Sequence, residues 1–212
     1  MDPMLTSTAT RADSRAVFGT TMMLVAATCA FAAAGAYLGR DLSATTGLIL
    51  FIVAIVCIIG LNVAAKRAPA IALVLLFALG LLLGLAVGPL LAEYASTQPD
   101  VLWQAAGATA LTVAGLGAYG YATRRDLSNW GRTLFWLLLA LIVFGIVLVF
   151  VNIPGGNQIY AFLGLALFSA YTIFDFNRLR RANRDDVIPI AAGIFLDVFN
   201  IFLFFLQIFG RR

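Results

Sequence analysis

The sequence predicts an all-α, polytopic membrane protein of seven transmembrane helices with no soluble domain, and three observations carry that prediction. Hydrophobic residues make up 62% of the 212 and charged residues only 11%, with a mean hydropathy of +0.99; a globular chain carries about a quarter charged residues. The apolar residues fall into runs close to the roughly 20 residues a helix needs to cross a hydrocarbon core. The connections between runs are short, polar and rich in Lys and Arg.

Taken in order, the chain opens on a polar lead-in over 1–16, rich in Thr, Ser and Ala from Thr6 to Ser14, read as a flexible cytoplasmic segment. The first span, 17–38, has the length of a full crossing and no convincing cleavage motif, so it is expected to stay rather than to be removed as a signal peptide. The second span covers 44–65 and ends before Lys66-Arg67 and Pro69. Cys29 and Cys57 lie inside these first two apolar runs, where small thiols are common and a disulfide would be unusual. The third span, 69–92, carries Gly80, Gly84 and Gly88 four residues apart, placing small residues along one face for close approach of a neighbouring helix. Ala32-Ala33-Ala34-Gly35, Gly107, Gly115 and Gly117 are read in the same way, and Gly88-Pro89 is expected to bend or fray the third span. Glu93 and Asp100 flank the next loop, either as a solvated turn or as an attraction for cations at a pore mouth.

Spans four to seven are placed at 101–122, 133–151, 158–177 and 188–209, punctuated by Arg124-Arg125-Asp126 and by the charged run from Arg178 to Asp186. Seven spans put Arg11, Arg15, Lys66, Arg67, Arg124, Arg125, Arg132, Arg178, Arg180, Arg181 and Arg184 on one side, opposed only by Arg40, Arg211 and Arg212. The positive-inside bias then places the N-terminus in the cytoplasm and the C-terminus outside. The net charge of +4 is explained by this topology and by anionic lipid headgroups, so nucleic acid is not an expected partner. The early and late spans show no evident duplication of the kind that builds inverted-repeat transporters.

Chemistry concentrates in the last two spans. Asp175 lies near the end of span six, in Tyr171-Thr-Ile-Phe-Asp175-Phe-Asn177-Arg178. Asp197 sits deeper, about nine residues or roughly 13 Å into span seven, with Asn200 one turn further on. A carboxylate inside a span costs at least a few kcal/mol on insertion scales, which makes an intramembrane acid a candidate functional residue by default. The two spans share a short basic connection, and antiparallel packing would bring the acids together on the cytoplasmic half. Two carboxylates facing one another at low dielectric titrate as a coupled unit, and so form a pH switch. Their oxygens are also hard ligands suited to Ca²⁺, with Asn200 placed to assist, so protons and the cation would compete. The plainer alternatives are a buried acid hydrogen-bonded to neighbouring helices for Asp197 and a helix-end ion pair with Arg178 for Asp175. Tyr171, one turn before Asp175, is either a donor to it or an interfacial aromatic. The chain has no histidine and no cysteine cluster. A transition-metal site, a histidine-based triad or a tightly bound cofactor therefore has no support, and the protein is not expected to be an enzyme.

In Thr123-Arg-Arg-Asp-Leu-Ser128 with Gly131, in Tyr171-Thr-Ile-Phe-Asp175 and in Ile194-Phe-Leu-Asp197-Val-Phe-Asn200-Ile-Phe-Leu203 the chain resembles the Bax inhibitor-1, or transmembrane Bax inhibitor motif, family. Gly84-Leu-Ala-Val-Gly-Pro89 and Arg15-Ala-Val-Phe-Gly-Thr20 agree more loosely. The resemblance is to its bacterial members and covers nearly the whole chain. It implies six helices around a central seventh and a pH-sensitive Ca²⁺ leak, with Asp175 and Asp197 matching the family's pH-sensing pair. Related bacterial proteins have a basic latch near the end of span two, where this sequence has Ala64; Asn62 and Lys66 would replace it only in part. The resemblance also leaves a second function open, that of a membrane interaction protein that restrains a membrane-protein partner such as a quality-control protease. Intramembrane aspartyl proteolysis, a third use of two acids on adjacent spans, lacks its Gly-x-Gly-Asp signature, since Gly193 stands four residues before Asp197. Ala-rich and Arg-rich usage points to a bacterial inner membrane.

Overall fold

The computed structural model describes the backbone of residues 3–210 and the side chains of residues 14–210. Seven α-helices follow in order: α1 (Pro3–Leu38), α2 (Ala44–Ala64), α3 (Pro69–Thr97), α4 (Pro99–Ala122), α5 (Trp130–Phe150), α6 (Gly156–Leu179) and α7 (Val187–Phe209). All seven contain a stretch long and apolar enough to cross a membrane, and the described residues form no strand. This is what a chain without water must do. Every backbone N–H and C=O needs an internal partner in hydrocarbon, and a helix supplies one within its own segment.

The boundaries follow the predicted spans to within a few residues, with two differences. Helix α1 reaches back to Pro3, so the backbone of the polar lead-in continues the first span, whose apolar part is Ser14–Leu38. The expectation of a flexible segment over 1–16 falls mostly on side chains outside the described residues, as do the basic side chains of Arg11, Arg211 and Arg212. The second difference is at Gly88-Pro89. Helix α3 does not fray there but runs through Pro89 to Thr97. Proline is tolerated inside membrane helices where neighbouring helices enclose the turn it weakens, and here α1 lies directly against Gly84 and Gly88.

The chain divides into two compact units, Met1–Thr97 with Leu179–Phe195, and Gln98–Arg178 with Leu196–Arg212, so α7 contributes its first part to one and its second part to the other. In the first unit the glycine ladder of α3 does what its spacing predicts. A Cβ on Gly80, Gly84 or Gly88 would strike the backbone of Thr28, Ala32 or Gly39, and one on Gly35 would strike Leu81. Phe31 stacks on Phe77 with centroids 5.0 Å apart beside this seam. Leu61, Ala72, Leu76, Leu79, Ile190 and Ala191 form its fully buried apolar filling. Gly107 and Gly115 correct the same expectation elsewhere: nothing lies within 4 Å of a Cβ built on either, so these glycines mark no helix contact. Cys29 and Cys57 are free thiols.

The connections are built from local caps. Ser43 Oγ accepts a hydrogen bond from Thr46 N at 3.2 Å to start α2. Arg40, outside the spans, pairs with Asp41 at 3.3 Å and stands 4.6 Å over the Tyr37 ring; Tyr37 first and Asp41 second hold its guanidinium even more firmly protonated than usual. The Arg178–Asp186 run is not plain loop. It contains a 3₁₀ turn, Arg184–Asp186, closed by a capping box in which Asn183 N donates to Asp186 Oδ2 at 3.2 Å.

Candidate functional site

The second unit holds both acids. Its apolar core joins Leu134 and Leu141 of α5, Ala161, Leu167 and Phe168 of α6, and Ile201 and Phe204 of α7. On α7, Asp197, Ile201 and Phe204 follow at i, i+4 and i+7, one stripe of a helix. Gly164 of α6 makes room for Phe204, since a Cβ on it would run into the Phe204 ring. Phe204 then meets Phe168 at 6.0 Å and Tyr160 at 5.6 Å between ring centroids.

This aromatic contact sets the register of the acids. Phe168 stands seven residues before Asp175 on α6 and Phe204 seven residues after Asp197 on α7. Seven residues are about two helical turns. Antiparallel helices that bring the phenylalanines together therefore bring the aspartates together two turns away. Asp175 and Asp197 are 6% and 3% exposed, which is rare for an acid, and they act on each other electrostatically. The Oδ2 oxygen of Asp197 is buried without a hydrogen-bond partner in the protein. Tyr171 lies within electrostatic reach of both acids, and exposed Arg178 attracts Asp175. So four of the predicted site residues, Asp175, Asp197, Tyr171 and Arg178, share one place.

Asn200 and Asn62 both bond to their own helices. The Asn200 amide donates to Leu196 O, one turn back on its own helix, at 2.7 Å, so its N–H is committed to backbone and only Oδ1 is left to offer a ligand. Exposed Asn62 does the same with Ile58 O at 2.9 Å. Lys66 is exposed beyond the end of α2, and Glu93 and Asp100 are exposed at the ends of α3 and α4. No group of three or more His, Cys, Asp or Glu side chains gathers to hold a metal among the described residues.

Asn177 is the site residue that sequence reasoning passed over. It is fully buried. Its Oδ1 accepts from Leu127 N at 3.3 Å, and its Nδ2 is shared among Gly120 O, Thr123 O and Arg125 O at 3.3, 3.4 and 3.1 Å. These are backbone groups left over where α4 ends and the turn to α5 begins. Gly117 and Gly120 let α4 come close enough, under the Phe176 ring and against the Ile173 carbonyl. Asp126 Oδ1 completes the turn by accepting from Ser128 N at 2.9 Å and Ser128 Oγ at 2.6 Å. The only signal in the sequence was an amide inside an apolar run, beside a more conspicuous acid.

Substituting Ala for Gly164 tests the register. The added methyl displaces the Phe204 ring, and a loss of about 1–2 kcal/mol is expected. Thermal unfolding in detergent measures it, and an unchanged midpoint would separate the aromatic contact from the placement of the acids.

Seven apolar helices, with a buried acid on each of the last two, define a multi-pass membrane protein. Comparison with known proteins makes this specific: the chain belongs to the family described as Inhibitor of apoptosis-promoting Bax1, whose model matches residues 14–212, in agreement with the resemblance its motifs carry. It is 32% identical over 163 residues to an uncharacterized protein of Helicobacter pylori J99, covering 76% of this chain and 70% of that one. An uncharacterized membrane protein of Vibrio cholerae is 30% identical over 61% of this chain and 59% of its own length. The inner membrane protein YbhL of Escherichia coli K12 is 29% identical over 46% of each chain.

Proposed function

We propose that this protein is a passive Ca²⁺ leak of the bacterial inner membrane whose conductance is set by protonation of the pair Asp175 and Asp197. The single observation that supports this most is the buried Asp197 Oδ2, which has no hydrogen-bond donor. A structural acid held at membrane depth would be expected to have its oxygens satisfied. An acid that exchanges a proton or a hydrated cation keeps one free. Ca²⁺ takes about six to eight oxygen ligands. Two carboxylates and the Asn200 oxygen supply fewer, so the ion would keep part of its water, as suits passage rather than storage.

In this reading the N-terminus is cytoplasmic, as the distribution of Lys and Arg indicates. The protein needs no tightly bound cofactor and catalyses no reaction. Its partners are the lipid bilayer, Ca²⁺ and protons. The test is Ca²⁺ entry into proteoliposomes holding the purified chain, followed against pH. Flux well above empty vesicles, changing between about pH 6 and pH 8 as expected for buried carboxylates, is the predicted result. Flux no greater than from empty vesicles overturns it and would favour a protein that acts by binding a membrane partner.

A further inference from the structure

We infer that the groove between α5 and α6 holds one acyl chain of an anionic phospholipid, drawn from the side of the membrane that carries Arg124, Arg125, Arg132 and Arg178.

The groove follows from how the two helices meet. A Cβ on Gly131 would stand 3.1 Å from the Phe174 ring, and one on Gly145 would stand 3.1 Å from the Tyr160 ring. The two contacts are fourteen residues apart on each helix, so α5 and α6 run antiparallel in one register and touch at two levels roughly 21 Å apart. Between those levels the side chains are too short to close the gap. Exposed Ala140 and Ala166 face a space of about 480 Å³, with buried Leu134, Leu141 and Leu167 as its floor and half-exposed Leu137 and Leu163 as its walls. Its lining is wholly Leu, Ala and Phe. Water finds no hydrogen-bond partner on such a surface, whereas hydrocarbon gains dispersion contacts on every side.

Size and shape select the occupant. The groove opens at Leu134 and runs along α5 to Phe144, ten residues or about 15 Å. That is half of a hydrocarbon core of about 30 Å, the depth of one leaflet. A third helix is too wide to enter. Neighbouring helices lie about 8–10 Å apart between axes, and a helix with its side chains measures about 10–12 Å across. An extended acyl chain is a single file of carbons and fits between the leucine walls.

Charge then selects the headgroup. Arg132 stands two residues before Leu134, Arg124 and Arg125 precede it on the α4–α5 connection, and Arg178 lies near the end of α6; all four are exposed. Asp126, the one acid on that connection, accepts from Ser128. Trp130 and Trp136, both exposed on α5 beside the opening, are the residue type that marks the headgroup level of a bilayer. At the other end of the helix pair the connection over 151–155 carries no charge. A phosphodiester held by its negative charge therefore lies at the arginine end, with its chain running down the groove.

Native mass spectrometry of the full-length protein tests this, after equilibration in a non-ionic detergent with dioleoylphosphatidylglycerol or dioleoylphosphatidylcholine, which carry the same chains. One phosphatidylglycerol per protein is expected to stay bound, preferred about fivefold or more over phosphatidylcholine. Glycerol phosphate, a headgroup without a chain, should not displace it, and Arg132→Gln should reduce the preference. Ala166→Phe fills the groove from an exposed position and should bring phosphatidylglycerol down to the phosphatidylcholine level. Ala140→Leu should do so in part and serves if the phenylalanine variant fails to fold. Equal retention of the two lipids by the native protein overturns the inference. A preference that survives both alanine variants overturns it too and places the headgroup on the arginines alone. A lipid-free dimer that Ala166→Phe separates would overturn it by giving the groove to a second copy of the chain.

Discussion

Asp197→Asn is expected to abolish the pH response of Ca²⁺ flux and at the same time to make the protein more stable. The first effect follows from removing one of two interacting titrating groups: a single remaining carboxyl cannot act as a coupled pair. The second follows from burial. Asp197 is 3% exposed, and its Oδ2 lacks a hydrogen-bond partner, so the native side chain carries an unrecovered desolvation penalty. An isosteric neutral amide removes the buried charge, and a gain of about 1–3 kcal/mol is expected. Flux in proteoliposomes between about pH 6 and pH 8 checks the first, since buried carboxyls can titrate in that interval. Thermal unfolding in detergent near neutral pH checks the second. A variant that loses stability instead would show Asp197 to be a structural hydrogen-bonding residue, the plainer of its two readings. Function retained at the expense of stability is the usual trade at an active site.

The second large effect belongs to the other unit and to stability alone. Gly84→Leu is expected to disrupt the seam between α1 and α3, because even a Cβ at this position collides with the Ala32 carbonyl. The obstacle is backbone, which cannot swing aside as a side chain does. Helix α3 must move away along its length, losing contacts at Gly80 and Gly88 as well, and at least about 3 kcal/mol should be lost. Gly107→Leu is the control. Nothing surrounds that position within 4 Å, so its expected effect is close to zero or slightly favourable from helix propensity. Unfolding of the two variants in one detergent compares them directly, and equal midpoints would sink the account of the glycine ladder.

The two glycine groups show where sequence reasoning reached its limit. Spacing of four identified Gly80, Gly84 and Gly88 because a repeated small residue on one face has few uses other than close packing. Gly107 and Gly115 are also glycines in an apolar helix, yet they meet no neighbour, and only the neighbour's position distinguishes the cases. Pro89 is similar. Its missing N–H was evident, but whether the helix survives it depends on what encloses that turn.

Sequence alone determined the membrane class, the seven helices and nearly all of their limits. Hydrocarbon requires each segment to satisfy its own backbone, so length and composition suffice to place a span. It also isolated Asp175 and Asp197, because a charge inside an apolar run is conspicuous without any coordinates. The tertiary structure decided what those residues meet. The Phe168–Phe204 contact fixes the register that sets the acids together, and burial leaves one Asp197 oxygen unpaired. Asn200 and Asn62 turn back to their own helices, whereas Asn177 reaches across to the α4–α5 connection. An amide's partner is set by whichever carbonyl comes within about 3 Å, and that proximity arises between segments far apart in the chain, where local pattern carries no information.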